Sequence, residues 1–530
     1  MGASSPPLTT IAPDHPARQL IRALQQPDRY PHATGTVQLI ETHISWVLLA
    51  GDYVYKIKKP VDLGYVDFST LAQRERCCRE EIRLNSRLAP GIYLDSVAIR
   101  GTPEKPRFDG AGAAIEYAVR MRRFPDEALA SRMLAAGNLT PGQVAQLAGK
   151  VADFHGEAPA ADRATPYGEP HLILRSTLES ITPLLAHCPL EADRRKLQAL
   201  WHWSEHQFER LRDTFIERKR AGRVRECHGD LHLANIALLD GEMGAFDGID
   251  FNEELRWIDV MSEVAFPVMD LTAHGRADLA GVFLNAYLER GGDYEGLAVL
   301  RFYEAYRALV RAKIELLRSG NDLRAGQARR YLELAEHVSQ PRRPALVILH
   351  GPSGSGKTTV AAQLAQSLLA IHLRSDVERK RLAGLPALAR SGSAPGAGLY
   401  DPRATQSTYE RLARLARVAL EGGYSVVVDA AFLQQRERGM MRAIAEERRA
   451  PFALVSLMAD AGTLRERLAR RAAAGTDASE ADAAVLERQL RTMEPLSESE
   501  QLSTLSIDTG LPMAGPKWEA CLRDLAARLQ

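Results

Sequence analysis

The stretch Ala345-Leu-Val-Ile-Leu-His-Gly-Pro-Ser-Gly-Ser-Gly-Lys357-Thr358 decides the fold of the C-terminal third of this chain. Its apolar first half predicts a buried strand, and the apolar pattern after Thr358 predicts a helix. The glycines between them allow backbone N–H groups to point into one concavity at the helix N-terminus, where phosphate binds. The amine of Lys357 can reach the β- and γ-phosphates of ATP, and the hydroxyl of Thr358 suits Mg²⁺. We expect the nucleotide to contact Gly351, Ser353, Gly354, Ser355, Gly356, Lys357, Thr358 and Thr359.

Strands and helices alternate through the rest of this segment. Residues 346–350, 425–429 and 452–458 are short apolar runs of the type that forms buried strands, with helical patterns between them. Parallel sheets are covered on both faces and contain such runs. The sequence therefore predicts an α/β fold over residues 345–530: a P-loop NTPase domain with a parallel sheet flanked by helices.

Two acids after the phosphate loop are candidates for catalysis and metal binding. Asp376 and Arg379 lie three positions apart and so share one face of a helix. Asp376 can accept the proton of an acceptor hydroxyl, and Arg379 can bind the acceptor or its phosphate. Asp429 ends an apolar strand, where a Walker-B-type carboxylate holds Mg²⁺ directly or through water. Helix capping is the alternative role of both acids.

Arginines recur at helical spacing near residue 470. Arg467 and Arg471 lie one turn apart, and such a helix can close over a nucleotide and supply an arginine to the transition state. We predict that both contact the nucleotide. Which arginine points inward stays open, and a solvated helix face is the alternative.

These motifs resemble those of the small P-loop kinases that include polynucleotide 5′-kinases, gluconate-type kinases and zeta-toxin-like kinases. In particular, Asp376 and Arg379 resemble the acceptor-site acid and arginine of polynucleotide 5′-hydroxyl kinases. The resemblance implies an ATP-dependent kinase with Lys357, Asp376 and Arg379 as catalytic residues. The acceptor is left open between a nucleic-acid 5′ end and a small hydroxylated molecule, because a P-loop specifies the nucleotide and not the acceptor.

A second informative string, His228-Gly-Asp-Leu-His-Leu-Ala-Asn235, lies in the N-terminal part of the chain. It resembles the catalytic loop of aminoglycoside and choline-type phosphotransferases, which are relatives of protein kinases. The resemblance implies a two-lobed, protein-kinase-like α+β fold with Asp230 as the catalytic base and Asn235 as a Mg²⁺ ligand. A further metal ligand is implied in the acidic strand that follows, where Asp247 and Asp250 compete on opposite faces and Asp247 is favoured.

A strand with two lysines resembles the kinase β3 strand, which carries the phosphate-binding lysine. Lys56 and Lys58 share one strand face, and the family pattern of apolar-Lys-apolar favours Lys56. The resemblance implies an ion pair with Glu81 on the following helix, with Glu80 as the alternate. The hairpin at Gly51 has no GxGxxG loop, which weakens a protein-kinase assignment.

The domain organisation follows from these motifs and from one Pro-rich segment. Residues 1–30 are rich in Pro and short polar residues and predict a loose lead-in. The phosphotransferase-like domain is expected over residues 31–338. Ser339-Gln-Pro-Arg-Arg-Pro predicts a linker over residues 339–344, before the P-loop domain.

The composition of the 530 residues is ordinary for a globular protein, and we expect the protein to be cytoplasmic. Lys and Arg (68) nearly cancel Asp and Glu (67), which argues against a protein that coats nucleic acid. The cysteines are scattered without CxxC spacing, which predicts a reducing compartment. Neither a secretory signal nor an apolar run long enough to span a bilayer is present, so no membrane partner is expected.

The sequence therefore predicts a phosphotransferase that uses ATP and Mg²⁺ to phosphorylate an acceptor hydroxyl. The P-loop half is favoured as the site of chemistry, with a second kinase site possible in the N-terminal half. The alternative is a nucleotide-gated regulatory or toxin-partner protein whose N-terminal half is a pseudokinase that binds a partner. The oligomeric state is not predicted.

Overall fold

The computed structural model describes residues 15–64, 66–108, 110–188, 190–319, 323, 326–391, 398–474, 478–510 and 515–529. The chain divides into two compact units. Unit 1 comprises Met1–Ile173 with Phe215–Asp270, and unit 2 comprises Leu174–Thr214 with Leu271–Gln530. Within the described ranges, no helix combines the length and apolar character that crossing a bilayer requires.

Unit 1 contains a six-stranded antiparallel sheet in the order β1-β2-β3-β6-β4-β5. Its strands are β1 (Gln38–Glu41), β2 (Ser45–Ala50), β3 (Tyr53–Lys58), β4 (Tyr93–Thr102), β5 (Lys105–Arg107) and β6 (Ala114–Arg122). The predicted hairpin around Gly51 is confirmed, because β2 and β3 pair antiparallel with Ala50 opposite Tyr53. This register places Lys56 and Lys58 on the face of β3 that helix α2 (Leu71–Asn85) covers.

The first helix of the chain, α1 (Pro16–Leu24), corrects one prediction. Its Leu20, Ile21 and Leu24 are buried in the same core cluster as Trp46 and other residues of the sheet. The expected loose lead-in over residues 1–30 is therefore wrong for this helix, because its apolar face is covered by the sheet. Residues 1–14 lie outside the described residues.

Short strands and helices follow the large sheet. They are α3 (Ala130–Ala135), α4 (Pro141–Glu157), α5 (Pro170–Ala186), α6 (Glu191–Arg220), β7 (Val224–Glu226), β8 (Ile236–Leu239), β9 (Glu242–Ala245), α7 (Glu253–Arg256), β10 (Trp257–Asp259) and α8 (Val260–Ala273). The ladders β7–β10 and β8–β9 flank the loop of residues 228–235, so that this loop is held at both ends by antiparallel pairs.

Unit 2 contains a five-stranded parallel sheet in the order β12-β13-β11-β14-β15, as predicted for a P-loop domain. Its strands are β11 (Leu346–His350), β12 (Ile371–Arg374), β13 (Val426–Asp429), β14 (Phe452–Met458) and β15 (Thr504–Asp508). The helices after β11 are α12 (Lys357–Ser367), α13 (Ser375–Leu382), α14 (Pro402–Glu421), α15 (Gln435–Glu447), α16 (Ala461–Ala474), α17 (Ala483–Thr492), α18 (Glu498–Ser503) and α19 (Pro516–Arg528). The loops that leave the carboxyl ends of β11, β12 and β13 meet at one edge of the sheet.

Besides most of α5 and α6, three whole helices that precede the predicted linker belong to unit 2. They are α9 (Ala277–Gly291), α10 (Leu297–Arg318) and α11 (Gly326–Ser339). Helix α9 packs against α12 and β12, and α10 packs against α14. We keep residues 31–338 and 345–530 as proposed domain limits along the sequence, with the linker between them.

Candidate active site

The phosphate loop has a backbone that only glycine adopts without strain. Gly351 has φ +145° and Gly354 has φ +85°. A Cβ on Gly351 would lie 2.7 Å from the carbonyl oxygen of Leu457, and one on Gly354 would lie 2.8 Å from that of Leu464. Helix α12 begins directly after this loop, so its unpaired N–H groups open toward the loop and favour an anion there.

The loop borders a cavity of about 560 Å³ in unit 2. Most of the residues predicted for the P-loop site line it: Ser353, Gly354, Gly356, Lys357, Thr358, Thr359, Asp376, Arg379, Asp429, Arg467 and Arg471. Gly351 and Ser355 are buried and are not part of the lining. The cavity is therefore the place where the separate sequence motifs converge. Further lining residues belong to no motif and were not predicted: Tyr400, Thr405, Tyr409, Gln434, Glu437 and Gln489.

Lys357 lies between the phosphate loop and two carboxylates. Its amine donates hydrogen bonds to the carbonyl oxygens of Gly351 (3.0 Å) and Pro352 (2.8 Å). Burial lowers the pKa of Lys357, and the negative charges of Asp429 and Asp376 oppose this lowering. The amine thus lies within electrostatic range of the candidate metal ligand and of the candidate base.

Asp429 ends β13 and is buried beside the phosphate loop. Burial alone would raise the pKa of Asp429, but His372, Lys357 and the hydroxyl of Thr358 hold it below its ordinary value. The Nε2 atom of His372 lies 3.6 Å from Oδ2 of Asp429. The next helix, α15, begins only at Gln435, so the capping alternative for Asp429 is wrong. His372 was missed because a lone histidine in a short strand carries no motif.

Asp376 and Arg379 lie on α13, which starts at the end of β12. The N-cap of this helix is Arg374, and it makes no side-chain capping bond, so the capping alternative for Asp376 is also wrong. Arg379 donates to the carbonyl oxygen of Leu399 (2.9 Å) and to the hydroxyl of Thr405 (3.2 Å). Its Nε atom is buried and has no hydrogen-bond partner within the described part of the chain. The guanidinium group therefore retains a donor at the wall of the cavity.

The two arginines of α16 have different environments. Arg467 donates to both the carbonyl oxygen (2.5 Å) and the hydroxyl (3.1 Å) of Thr509, and it approaches the carbonyl oxygen of Gly354. Arg471 donates to the carbonyl oxygen of Ala481, and its charge contributes to the lowered pKa of Lys357. Both line the cavity and are only partly exposed, so the alternative of a solvated helix face is wrong for them.

A buried histidine at the end of β11 predicts acid sensitivity of unit 2. Burial lowers the pKa of His350 from 6.5 to about 4, assisted by the charges of Arg438 and Lys357. The unfolded chain therefore takes up this proton first. The stability that the neutral ring provides is complete above pH 6.5 and is lost as the pH falls toward 4. This pKa shift corresponds to a loss of roughly 3 kcal/mol in the free energy of unfolding when the pH falls below 4.

His350→Asn retains an acceptor for the hydroxyl of Ser456, which lies 3.0 Å from Nδ1 of His350. We expect urea midpoints to fall less between pH 7 and pH 4.5 in this variant than in the wild type. The same substitution at the exposed His206 provides the control and should follow the wild type. Parallel pH dependences for wild type and His350→Asn would contradict the assignment.

In unit 1, both candidate lysines contact the same glutamate. Lys56 lies 2.8 Å from Oε1 of Glu81, and Lys58 lies 2.8 Å from Oε2. Burial would raise the pKa of Glu81, but the two ammonium groups lower it to about 2. Glu80 instead forms ion pairs with Arg83 and Arg256, so its selection as the alternate partner is wrong.

Each lysine also contacts one of the two candidate metal ligands. Lys58 lies 2.5 Å from Oδ2 of Asp250, and Lys56 forms an ion pair with Asp247. The side chain of Lys58 is 1% exposed, whereas that of Asp247 is 49% exposed. The Lys58–Asp250 pair is therefore internal, and the Lys56–Asp247 pair is open to solvent.

The two aspartates do not lie in a strand, contrary to the prediction. Strand β9 ends at Ala245, and both aspartates follow it in a loop. Asp247 has φ +62°, and its N–H donates to the hydroxyl of Tyr93 at 2.9 Å. The opposite-face argument therefore does not apply, because a left-handed residue and the loop determine the directions of these side chains.

The loop that carries Asp230 and Asn235 is fixed by a buried acid that sequence analysis missed. Asn235 donates to the backbone oxygen (3.0 Å) and to Oδ2 (3.2 Å) of Asp230. Glu263, on α8, accepts hydrogen bonds from the backbone N–H groups of His228 and Gly229. Burial would raise the pKa of Glu263, but its hydrogen bonds with His155 and with the N–H of Gly229, and the proximity of the His228 ring, lower it to about 2. The ionised carboxylate thus holds the two residues that precede Asp230.

Comparisons with known proteins match two segments of the chain to family models. Residues 75–303 match the family model described as phosphotransferase enzyme family, and residues 346–496 match the model described as AAA domain. The chain therefore combines a kinase-like phosphotransferase domain with a P-loop kinase domain, and these domains support a kinase activity.

The uncharacterized protein Rv2004c of Mycobacterium tuberculosis is 31% identical over 452 residues, which cover 85% of this chain and 89% of that protein. The uncharacterized protein Mb2027c of Mycobacterium bovis matches to the same extent. The chain belongs to the family that contains these mycobacterial proteins.

Two solved structures match parts of this chain. A putative kinase from Chloroflexus aurantiacus is 22% identical and covers 36% of this chain and 100% of its own, with a TM-score of 0.30. A choline/ethanolamine kinase family protein from Mesorhizobium loti is 13% identical and covers 61% of this chain and 92% of its own, with a TM-score of 0.36.

Proposed function

We propose that this protein is an ATP- and Mg²⁺-dependent kinase whose P-loop site phosphorylates an acceptor hydroxyl. One observation carries the proposal: a phosphate-binding loop, a lysine, a strand-end carboxylate and an acceptor-side acid line a single cavity. Phosphoryl transfer depends mainly on such positioning and on neutralisation of charge.

The oxygen donors beside the loop fit Mg²⁺. The hydroxyl of Thr358 and the carboxylate of Asp429 lie together, and both are hard ligands of the kind that this ion prefers. Asp429 is held in its ionised form, as a metal ligand must be. Thr358 and Asp429 would hold the ion, which when bound neutralises charge on the β- and γ-phosphates.

The remaining side chains have distinct roles in the proposal. Lys357 and the amides of the loop bind the phosphates, and Asp376 receives the proton of the acceptor hydroxyl. Arg379, which lines the cavity, binds the acceptor with its guanidinium group. Arg471 is the arginine that stabilises the transferring phosphoryl group, because its charge acts on Lys357, whereas Arg467 is bonded to Thr509 and to Gly354 of the loop. In unit 1, we propose Lys56 and Asp247 as the residues that face a nucleotide, since Lys58 and Asp250 are internal.

The test is transfer of labelled γ-phosphate from ATP to a panel of acceptors. The panel contains RNA and DNA with 5′-hydroxyl ends, sugar acids, nucleotide sugars and aminoglycosides. Transfer to at least one acceptor that requires Lys357 would support the proposal. No transfer, together with no binding of nucleotide, would reject it.

Asp376→Asn separates the acceptor role from nucleotide binding. We expect kcat for transfer to fall about 10²-fold, because a base at the acceptor hydroxyl is lost while the charge on the phosphate loop stays. The affinity for ATP should change less than twofold in equilibrium titrations. Asp524→Asn, an exposed residue of α19, provides the matched control. A loss of ATP affinity as large as the loss of kcat would contradict the role given to Asp376.

Two observations favour a second kinase site in unit 1. Lys56 forms an ion pair with Glu81, and a hydrogen bond from Asn235 to Asp230 fixes the loop that carries both residues. Asp230→Asn should then abolish an activity that Lys357→Ala spares. If the two variants separate no activity, the regulatory alternative is preferred, in which unit 1 binds a partner without phosphoryl transfer.

A further inference from the structure

The acceptor side of the P-loop site depends on an edge strand. Strand β12 pairs on one side with β13, and no strand among the described residues lies on its other side. Edge strands expose unpaired N–H and C=O groups, and proteins cover such edges with helices or side chains. Strand β12 leads directly into α13, which carries Asp376 and Arg379. Any shift of this strand would therefore move both acceptor-side residues.

An asparagine of α9 covers the free edge of β12. The Nδ2 atom of Asn285 donates to the carbonyl oxygen of Ala370 at 3.0 Å. Its Oδ1 atom accepts from the N–H of His372 at 2.7 Å. The carboxamide thus provides one donor and one acceptor to the strand, as the backbone of a neighbouring strand would do.

Glu289, one helical turn farther along α9, continues the same contact. Its carboxylate lies 2.9 Å from Nη1 of Arg374, and its backbone oxygen accepts from Arg381 at 2.5 Å. Four residues of helix span about 6 Å. His372 and Arg374 are two residues apart along the strand, which corresponds to about 6.6 Å. The spacing along α9 therefore matches that along β12, and the helix holds the strand at successive points.

The contact between α9 and β12 bears on the candidate metal ligand Asp429 as well as on the residues of α13 that face the acceptor. The ring of His372 approaches Asp429, while the side chain of Arg374 lines the cavity. Helix α9 lies within residues 75–303, which match the phosphotransferase family, whereas β12 belongs to the P-loop domain. A helix of the segment that matches the phosphotransferase family thus supports a strand of the P-loop active site.

We propose that Asn285 and Glu289 are positioning residues of the P-loop site, which set the place of β12 and thereby of His372, Asp376 and Arg379. This inference rests on the proposed function for its catalytic part. It extends the site beyond the P-loop domain, because residues 345–530 without α9 would leave the edge of β12 unpaired.

The experiment compares Asn285→Ala and Glu289→Gln with the wild type in the full chain. Asp278→Asn, in the first turn of the same helix and paired with Arg276, is the control for general effects on α9. Three properties are measured: hydrogen–deuterium exchange of peptides within 369–382, affinity for N-methylanthraniloyl-ATP, and transfer of labelled phosphate to the acceptor panel.

In Asn285→Ala, we expect exchange within residues 371–376 to become about tenfold faster, because the amide of His372 loses its acceptor. We expect kcat for transfer to fall 10- to 100-fold, since displacement of a reacting group by about 1 Å costs up to 10²-fold. Nucleotide affinity should stay within twofold. Glu289→Gln should show the same pattern with smaller changes, and Asp278→Asn should behave as the wild type.

Unchanged exchange in Asn285→Ala and Glu289→Gln would overturn the inference, and so would faster exchange with unchanged kcat. If Asn285→Ala does not fold, Glu289→Gln decides by the same two criteria. Absence of both phosphate transfer and nucleotide binding in the wild-type protein would overturn the proposed function alone, because exchange tests the support of β12 without turnover.

Discussion

Replacing Lys357 with alanine is expected to lower phosphate transfer from ATP by about 10³-fold. The lysine is the only side-chain cation described within the phosphate loop, and it contacts the loop carbonyls where the phosphates would bind. Removal of one group that stabilises developing charge costs on the order of 10²–10³-fold. Lys357 also contributes to ground-state binding of the phosphates, so ATP affinity should decrease too. The measurement is transfer of labelled γ-phosphate, with affinity determined by titration.

The fold should survive this substitution. Burial already lowers the pKa of Lys357, so its charge is held at a cost in the folded state. Its hydrogen bonds go to the carbonyl oxygens of Gly351 and Pro352 beside the cavity, where we expect water to replace the amine. Lys150→Ala, which affects a partly exposed ion pair with Glu242, is the control for loss of a lysine. Unchanged turnover together with unchanged nucleotide affinity in Lys357→Ala would reject chemistry in the P-loop site.

Lys58→Met is expected to destabilise unit 1 by about 3–5 kcal/mol. Lys58 is 1% exposed and lies between Glu81 and Asp250, both of which are buried. Methionine fills similar volume, but it leaves Asp250 without its cation in a site that water does not reach. A buried charge that loses its partner retains the full cost of desolvation. The free energy of unfolding is measured by urea titration at pH 7.

Lys56→Met is the matched control for this prediction. Asp247 can be solvated when Lys56 is removed, because its side chain is 49% exposed, and Glu81 keeps Lys58. We expect this variant to lose less than half as much stability as Lys58→Met. It should nevertheless abolish any kinase activity that depends on Asp230. Equal losses of stability in both variants would show that the two lysines are not divided between internal and solvent-facing pairs.

The placement of several candidate site residues could be predicted because their information is local. The strand, glycine loop and helix around Lys357 are consecutive in the chain, and each has its own pattern of apolar residues or glycines. The parallel sheet was also predictable, since each buried strand is a short apolar run. The convergence of Asp376 and Asp429 on the loop followed from a general property of parallel sheets, namely that their carboxyl ends share one edge.

Other features had no local pattern. The loop after β9 was predicted as a strand, because its alternation of apolar and acidic residues hides the left-handed conformation of Asp247. Helix α1 was predicted as a loose segment, because its prolines and polar residues gave no indication that the sheet would cover its apolar face. Glu263 and His155 belong to helices that carry no motif, and their role depends on contact with a loop elsewhere in the chain.

The sequence by itself determined that this chain has a phosphate loop with its lysine and a kinase-like loop with its aspartate and asparagine. It also determined the residues from which an acceptor acid and metal ligands would be drawn. These are properties of short segments, in which the number of residues between two side chains determines the distance between them. Only the tertiary structure decided that Lys58 and Asp250 are internal, that Arg467 is anchored while Arg471 is near Lys357, and that α9 supports β12. The physical reason is that burial and hydrogen bonding depend on partners many residues away, which no local pattern specifies.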